Sequence, residues 1–195
     1  MTELDTGARR PTCARCQRPL RTCLCTWICP TDNRVPVLLL QHPLEATQSK
    51  GSAALLRLSL RHCQRETGEA FDPVSLASWL GASAALVYPD PGASQAPALP
   101  LRLVLLDGTW RNTRKLLHMN PLLQQLPRIA LAVPPPSLYT IRKAQQRQQR
   151  STLEAACHAL GAIENRPSHY APLLQAFDGW VRSQAHGAGG GITPS

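Results

Sequence analysis

An apolar run that stops abruptly on polar residues constrains this chain more than any other feature. Leu101-Arg102-Leu103-Val104-Leu105-Leu106 leads straight into Asp107-Gly108-Thr109-Trp110. A nearly unbroken aliphatic stretch reads as a strand buried on both faces, so the carboxylate, glycine, hydroxyl and indole emerge together at its C-terminal end. Arg111-Asn112-Thr113-Arg114-Lys115-Leu116-Leu117 then reads as the opening turns of a helix bearing three cations. In open α/β sheets, junctions of this kind at the carboxyl edge are where ligands bind.

The remainder alternates in the same manner. Val35 to Leu40 reads as the first strand, with Pro36 near its start and Gln41-His42-Pro43 at its end. Leucines at 55, 56, 58 and 60 place an amphipathic helix over Ala53 to His62. Ala84 to Tyr88 is a short strand, followed by a Pro/Gly/Ser-rich loop to Pro100. A helix from about Thr109 to Leu123 and a strand from Arg128 to Val133, ended by three prolines, come next. Ser151-Thr152-Leu153-Glu154 has capping-box spacing and opens a helix to about Ile163, and a last helix spans roughly Tyr170 to Ser183. This order predicts an α/β fold with a mostly parallel sheet. The expected organisation is a disordered start at 1–12, a cysteine-rich segment at 13–30, a main domain at 31–184 and a disordered tail at 185–195.

A chain of 195 residues with 43% hydrophobic content has room for one such domain plus a small appendage. Its net charge is +9, and arginines outnumber lysines 18 to 3, a bias that suits bidentate phosphate contacts. The charge is concentrated: from Gly108 to Leu153 there are eight Arg or Lys residues and no acid. Such a block is either a solvated face or a polyanion footprint; its setting beside a ligand edge favours the second, with Arg111, Arg114, Lys115, Arg147 and Arg150 as the candidates for contacting the polyanion. No apolar stretch approaches the roughly 20 residues of a membrane span, and the first residues lack the apolar core of a secretory signal. The expectation is a cytoplasmic protein without membrane partners.

Cys13, Cys16, Cys23 and Cys25 place four thiols within 13 residues, enough for a tetrahedral zinc site in a segment too short to own a core. Reduced cysteines in a loop, or a disulfide, are the plainer readings, and the location disfavours the second. Arg15, Arg18 and Arg21 are expected to lower the thiol pKa values, and Cys29 is a possible substitute ligand. Cys63 and Cys157 sit in helical patterns and read as core.

Asp107 can be a helix cap or a catalyst, Trp110 a packing residue or a stacking platform, and His42 a satisfied structural histidine. Ser137-Leu138-Tyr139-Thr140-Ile141-Arg142-Lys143 brings hydroxyls, an aromatic ring and two cations to the same edge as Asp107 if the strands are parallel. Ser151 and Glu154 have an ample structural explanation as a cap.

Taken in order, Cys13-Ala-Arg-Cys16 with Cys23-Leu-Cys25, Leu40-Gln41-His42-Pro43, Asp107-Gly108-Thr109-Trp110, Tyr139-Thr-Ile-Arg142-Lys143 and Ser151-Thr152-Leu153-Glu154 resemble the DTW-domain family. The resemblance implies a tRNA-uridine aminocarboxypropyltransferase, which moves the 3-amino-3-carboxypropyl group of S-adenosylmethionine onto N3 of a tRNA uridine and leaves methylthioadenosine. It also implies a SPOUT-like fold with a knotted C-terminal part, which periodicity does not show and which general topology would disfavour. On the same basis Asp107, Thr109 and Trp110 are the catalytic candidates. Gln41, His42, Leu106, Asp107, Gly108, Tyr139, Ile141, Arg142, Lys143, Ser151, Thr152 and Glu154 are the candidates for the S-adenosylmethionine site. Asp107 would act as general base or hold the donor's ammonium, and Arg142 and Lys143 would hold the donor carboxylate or a tRNA phosphate. After Lys143 the chain departs from the family pattern, with Ala144-Gln145-Gln146-Arg147-Gln148-Gln149-Arg150 where an acid and a proline are expected. A SPOUT-type RNA methyltransferase and a non-catalytic zinc-knuckle RNA-binding module are the competing readings.

Overall fold

The computed structural model describes residues 11–46, 52–89, 102–129 and 151–187. Five parallel strands organise them: β1 (Val37–Gln41), β2 (Cys63–Thr67), β3 (Ala84–Val87), β4 (Arg102–Asp107) and β5 (Arg128–Ile129), in the spatial order β2-β1-β4-β3-β5. The apolar runs occupy the centre because β1 and β4 are covered on both faces; every residue of β1 is buried. Alternate residues feed two cores. Val37, Leu39, Leu103 and Leu105 join one, with α2 (Ala53–Ser59), α6 (Thr152–Ile163) and α7 (Ala171–Gly187). Leu38, Leu40, Val104 and Leu86 join the other, with α3 (Pro73–Leu80), α4 (Trp110–Met119) and α5 (Pro121–Gln124).

The sheet order creates a crevice. β1 leads through the short α1 (Pro43–Ala46) and α2 to β2 at one edge, whereas β4 leads through α4 and α5 to β5 at the other. The two connections pack on opposite faces, so the carboxyl ends of β1 and β4 lie side by side, with Gln41 in register with Asp107.

Three expectations need correction, and a fourth falls partly outside the described residues. The helix opened by Ala53 ends at Ser59, and Cys63 begins β2 rather than continuing a helix. The segment from Thr109 to Leu123 is two helices, because the ring of Pro121 cannot continue α4 and instead starts α5. Of the strand expected over Arg128 to Val133, only Arg128–Ile129 lies within the described residues. The last helix runs to Gly187 after a separate 3-10 turn at Pro167–Tyr170. A knot depends on the path of residues 130–150, which lie outside the described residues. Among those described, no helix is long and apolar enough to cross a membrane.

The cysteine-rich segment is fastened to the main core. Leu24 and Cys16 are buried in the same cluster as Trp180 and Phe177 of α7, and the Arg18 guanidinium lies 5.5 Å from the Trp180 ring centre. Trp27 lies directly over Gly179, where an added Cβ would overlap Cζ3 of the indole. Glycine in a helix ordinarily costs about 1 kcal/mol relative to alanine. At this position the order reverses: Gly179→Ala is expected to destabilise the protein by about 1–3 kcal/mol through overpacking. Chemical denaturation reads it, and a variant more stable than the parent would show that Trp27 does not seat there.

Candidate active site

Asp107 is the last residue of β4 and only 7% exposed. A carboxylate in that position needs donors, and it has two from different parts of the chain: Gln41 Nε2 donates to Oδ2 at 2.8 Å and Thr152 Oγ1 donates to Oδ1 at 2.6 Å. Thr152 is the first residue of α6, whose N-terminal partial positive charge favours an anion beside it. The helix start is itself fixed by a capping box. Ser151 Oγ accepts from the Glu154 amide at 3.1 Å, while the Glu154 carboxylate accepts from the Ser151 amide at 3.0 Å. Ser151 and Glu154 therefore act by placing Thr152.

Gln41 is 3% exposed, and because its amide nitrogen is committed to the carboxylate, its Oε1 is an acceptor by elimination. That oxygen is buried and has no donor among the described residues. Such a group costs about 1–3 kcal/mol when left unpaired, which marks it as a place where a ligand donor belongs.

Behind this pair, on the other face of the sheet, His42 is 2% exposed and held at both nitrogens. Its Nδ1 accepts from the Leu44 amide at 3.3 Å, so Nε2 carries the proton and faces Glu69 Oε1 at 2.9 Å. Lys115 Nζ closes the chain on Glu69 Oε2 at 2.6 Å, and it is this lysine that holds the Glu69 carboxyl below its ordinary range. Buried Asn120 fixes the Glu69 loop, donating to the Glu69 carbonyl at 2.9 Å and accepting from the Phe71 amide at 2.9 Å. Gly108 lets α4 pack against this edge: a Cβ there would lie 3.0 Å from Cβ of Asn112 and 3.5 Å from Cβ of His42.

The cap of α4 is Thr109, whose hydroxyl accepts from the Asn112 amide at 3.3 Å. Asp107 does not cap that helix, and its carboxylate turns instead to Gln41 and Thr152. Trp110 is 40% exposed and meets Tyr88 edge-on, with ring centres 5.8 Å apart. Arg111 and Arg114 are exposed on α4, whereas Lys115, expected to face RNA, is engaged with Glu69. Leu106 is half-buried against the second core. Tyr139, Ile141, Arg142, Lys143, Arg147 and Arg150 lie outside the described residues.

The four cysteines converge. Cys13 Sγ is 3.6 Å from Cys25 Sγ, Cys16 Sγ is 3.7 Å from Cys23 Sγ, and all four sulfurs lie within 4.8 Å of one another. A tetrahedral zinc with bonds of about 2.3 Å requires sulfurs about 3.8 Å apart, so the donor set fits that ion. Backbone amides of Cys16 and Arg15 hold the Cys13 thiol down to about 6, while burial pushes Cys25 up to about 12. The activation thus comes from the turn's own N–H groups and not from the neighbouring guanidinium groups. One thiol is ready to bind, and another gives up its proton only when a cation arrives. Cys29 stands outside the cluster.

The DTW domain model matches residues 10–185. The chain belongs to the DTW domain family. It is 30% identical to tRNA-uridine aminocarboxypropyltransferase 2 of Mus musculus, with 95% of this chain and 67% of that protein covered. The proteins of the same name in Macaca fascicularis and Drosophila melanogaster are 27% and 30% identical, over 95% and 84% of this chain and 67% and 70% of theirs. No solved structure matches.

Of the DTW domain's residues singled out in the sequence, the fold brings Gln41, Asp107 and Thr152 into contact and places His42, Gly108, Thr109 and Trp110 around them. Glu69 and Asn120 were not legible as site residues. Glu69 follows β2, a strand without apolar alternation, and its link to His42 and Lys115 exists only once that strand is placed.

Proposed function

We propose that this chain is a tRNA-uridine aminocarboxypropyltransferase, transferring the 3-amino-3-carboxypropyl group of S-adenosylmethionine to N3 of a tRNA uridine. Membership of the DTW domain family and the names of its relatives support the reaction class. The observation that carries the chemistry is the Asp107 carboxylate, held from two sides by Gln41 and Thr152 at the switch point of a parallel sheet.

S-adenosylmethionine, when bound, supplies a methylene carbon made electrophilic by its sulfonium. Asp107 accepts the N3 proton as the N3–carbon bond forms; the carbon–sulfur bond breaks, its electron pair goes to sulfur, and methylthioadenosine leaves. Gln41 and Thr152 fix the angle at which the carboxylate meets that proton. Exposed Arg111 and Arg114 contact the tRNA backbone, and Arg142 and Lys143 hold the donor carboxylate or a phosphate. Cys13, Cys16, Cys23 and Cys25 would hold zinc through four thiolates, and the metal would serve a structural task.

Chromatography of the donor-derived product separates this reading from methyl transfer. Methylthioadenosine is expected; S-adenosylhomocysteine would establish a methyltransferase instead. Thr152→Val, which keeps the shape and deletes the hydroxyl, is expected to lower kcat/KM about tenfold to a hundredfold, the value of one hydrogen bond to a charged group. Unchanged kinetics would remove Thr152 from the machinery.

A further inference from the structure

We infer that the cavity between the cysteine cluster and the carboxyl edge of the sheet holds the amino acid end of the donor, with Arg65 and Arg18 on its carboxylate and Glu45 on its ammonium. The inference rests on the transferase reading and names the residues that grip the group to be moved. The cavity has a volume of about 240 Å³ and is walled by Gln17 and Arg18 of the cysteine segment, Gln41 of β1, Glu45 of α1 and Arg65 of β2. Pockets that enclose drug-sized molecules run from about 300 to 1,000 Å³, so this one is sized for one end of a donor and not for the whole. Arg65 reaches it because it stands in register with Leu39, whose side chain shares the core that receives Cys16 and Leu24.

The charges on the wall choose the ligand. Two arginines and one glutamate line the same space, and no ion pair joins Glu45 or Arg65 to another described residue. A free phosphate would meet the Glu45 carboxylate, and a simple amine would meet the guanidinium groups; a zwitterion satisfies both signs. S-adenosylmethionine carries its zwitterion at the amino acid end, on a carbon separated by a single CH₂ from the methylene that reacts. Arg18 is only 8% exposed, with its guanidinium 5.5 Å from the Trp180 ring centre, so its cation is preset where the carboxylate arrives. Gln41 connects the cavity to the chemistry: it lines the wall and donates to Asp107 at 2.8 Å, so the anchor and the proton acceptor are one side chain apart. An anchored amino acid end fixes which of the carbons on sulfur is presented to the nucleotide, and so separates this transfer from methylation. With the ammonium on Glu45, Asp107 is left for the N3 proton, and Arg142 and Lys143 are left for phosphate. The cysteine cluster thereby serves donor binding, because fixing Cys16 also places Arg18.

The test is calorimetry on the zinc-loaded full chain with S-adenosylmethionine, its decarboxylated form, and methylthioadenosine, which lacks the amino acid end; tRNA affinity is measured alongside by filter binding. Arg65→Ala, at an exposed edge-strand position, is expected to weaken S-adenosylmethionine about tenfold or more, the loss of one charge-assisted hydrogen bond. The decarboxylated donor and methylthioadenosine are expected to stay within about twofold, because neither has the carboxylate. Glu45→Gln is expected to weaken both ammonium-bearing ligands at least about fivefold and to spare methylthioadenosine. Indifference of S-adenosylmethionine to either substitution overturns the proposal, as does a loss that methylthioadenosine shares. Weaker tRNA binding by Arg65→Ala with the donor unaffected overturns it too, by giving the cavity to the RNA backbone. If the expected pattern of affinities appears but S-adenosylmethionine and tRNA yield no methylthioadenosine, the cavity assignment stands and the transferase reading fails.

Discussion

Asp107→Asn lowers kcat by about a hundredfold to ten-thousandfold and leaves the affinity for S-adenosylmethionine within about twofold. The substitution is a clean one because of what surrounds the side chain. Gln41 can only donate to position 107 with its amide nitrogen, so the asparagine keeps its oxygen towards Gln41 and turns its amide towards Thr152. The threonine hydroxyl then rotates to accept, as hydroxyls can. Shape and both hydrogen bonds survive; basicity and negative charge do not. Turnover measured under saturating tRNA, with donor binding measured separately, divides the two roles a carboxylate can play here. A weakened donor with kcat preserved would make Asp107 the ammonium anchor and would refute its role as base.

Loss of the metal has the other large effect. Cys16→Ser is expected to bring zinc content well below one per chain and to lower the Tm by about 6–12 °C, corresponding to about 3 kcal/mol for a domain of this size. The size follows from attachment: Cys16 and Leu24 sit in one cluster with Trp180 and Phe177, so releasing the knuckle strips a face of α7 as well. Cys29→Ser is the control, because its sulfur is not in the cluster, and zinc content and Tm are expected to stay at the parent values. If Cys29→Ser releases zinc as Cys16→Ser does, the ligand set is wrong.

What could be read in advance follows physical lines. β1 and β4 are buried on both sides, and full burial writes itself into sequence as an aliphatic run. β2 was illegible because it lies at the sheet edge, where four of its five residues are exposed and Gln64-Arg65-Glu66 suffices for backbone pairing. The helix α3 carries a usable signal in its sequence: Asp72 caps it, accepting from the Ser75 amide at 2.7 Å, with Pro73 in the first turn. Pro121 was likewise a sufficient reason to end α4. At the site, Asp107 was visible from its place at the end of an apolar run. Its partners were not derivable from that run, since Thr152 is 45 residues away and meets it only through the packing of α6 on the sheet. The motif resemblance brought both residues into one set, and the fold supplies the contact between them.

The modified nucleoside is the decisive product. Unmodified tRNA incubated with the zinc-loaded protein and S-adenosylmethionine, then digested and analysed by mass spectrometry, is expected to yield a uridine heavier by one 3-amino-3-carboxypropyl group, with the added group on N3. A methylated nucleoside, or no adduct across a complete tRNA set, contradicts it.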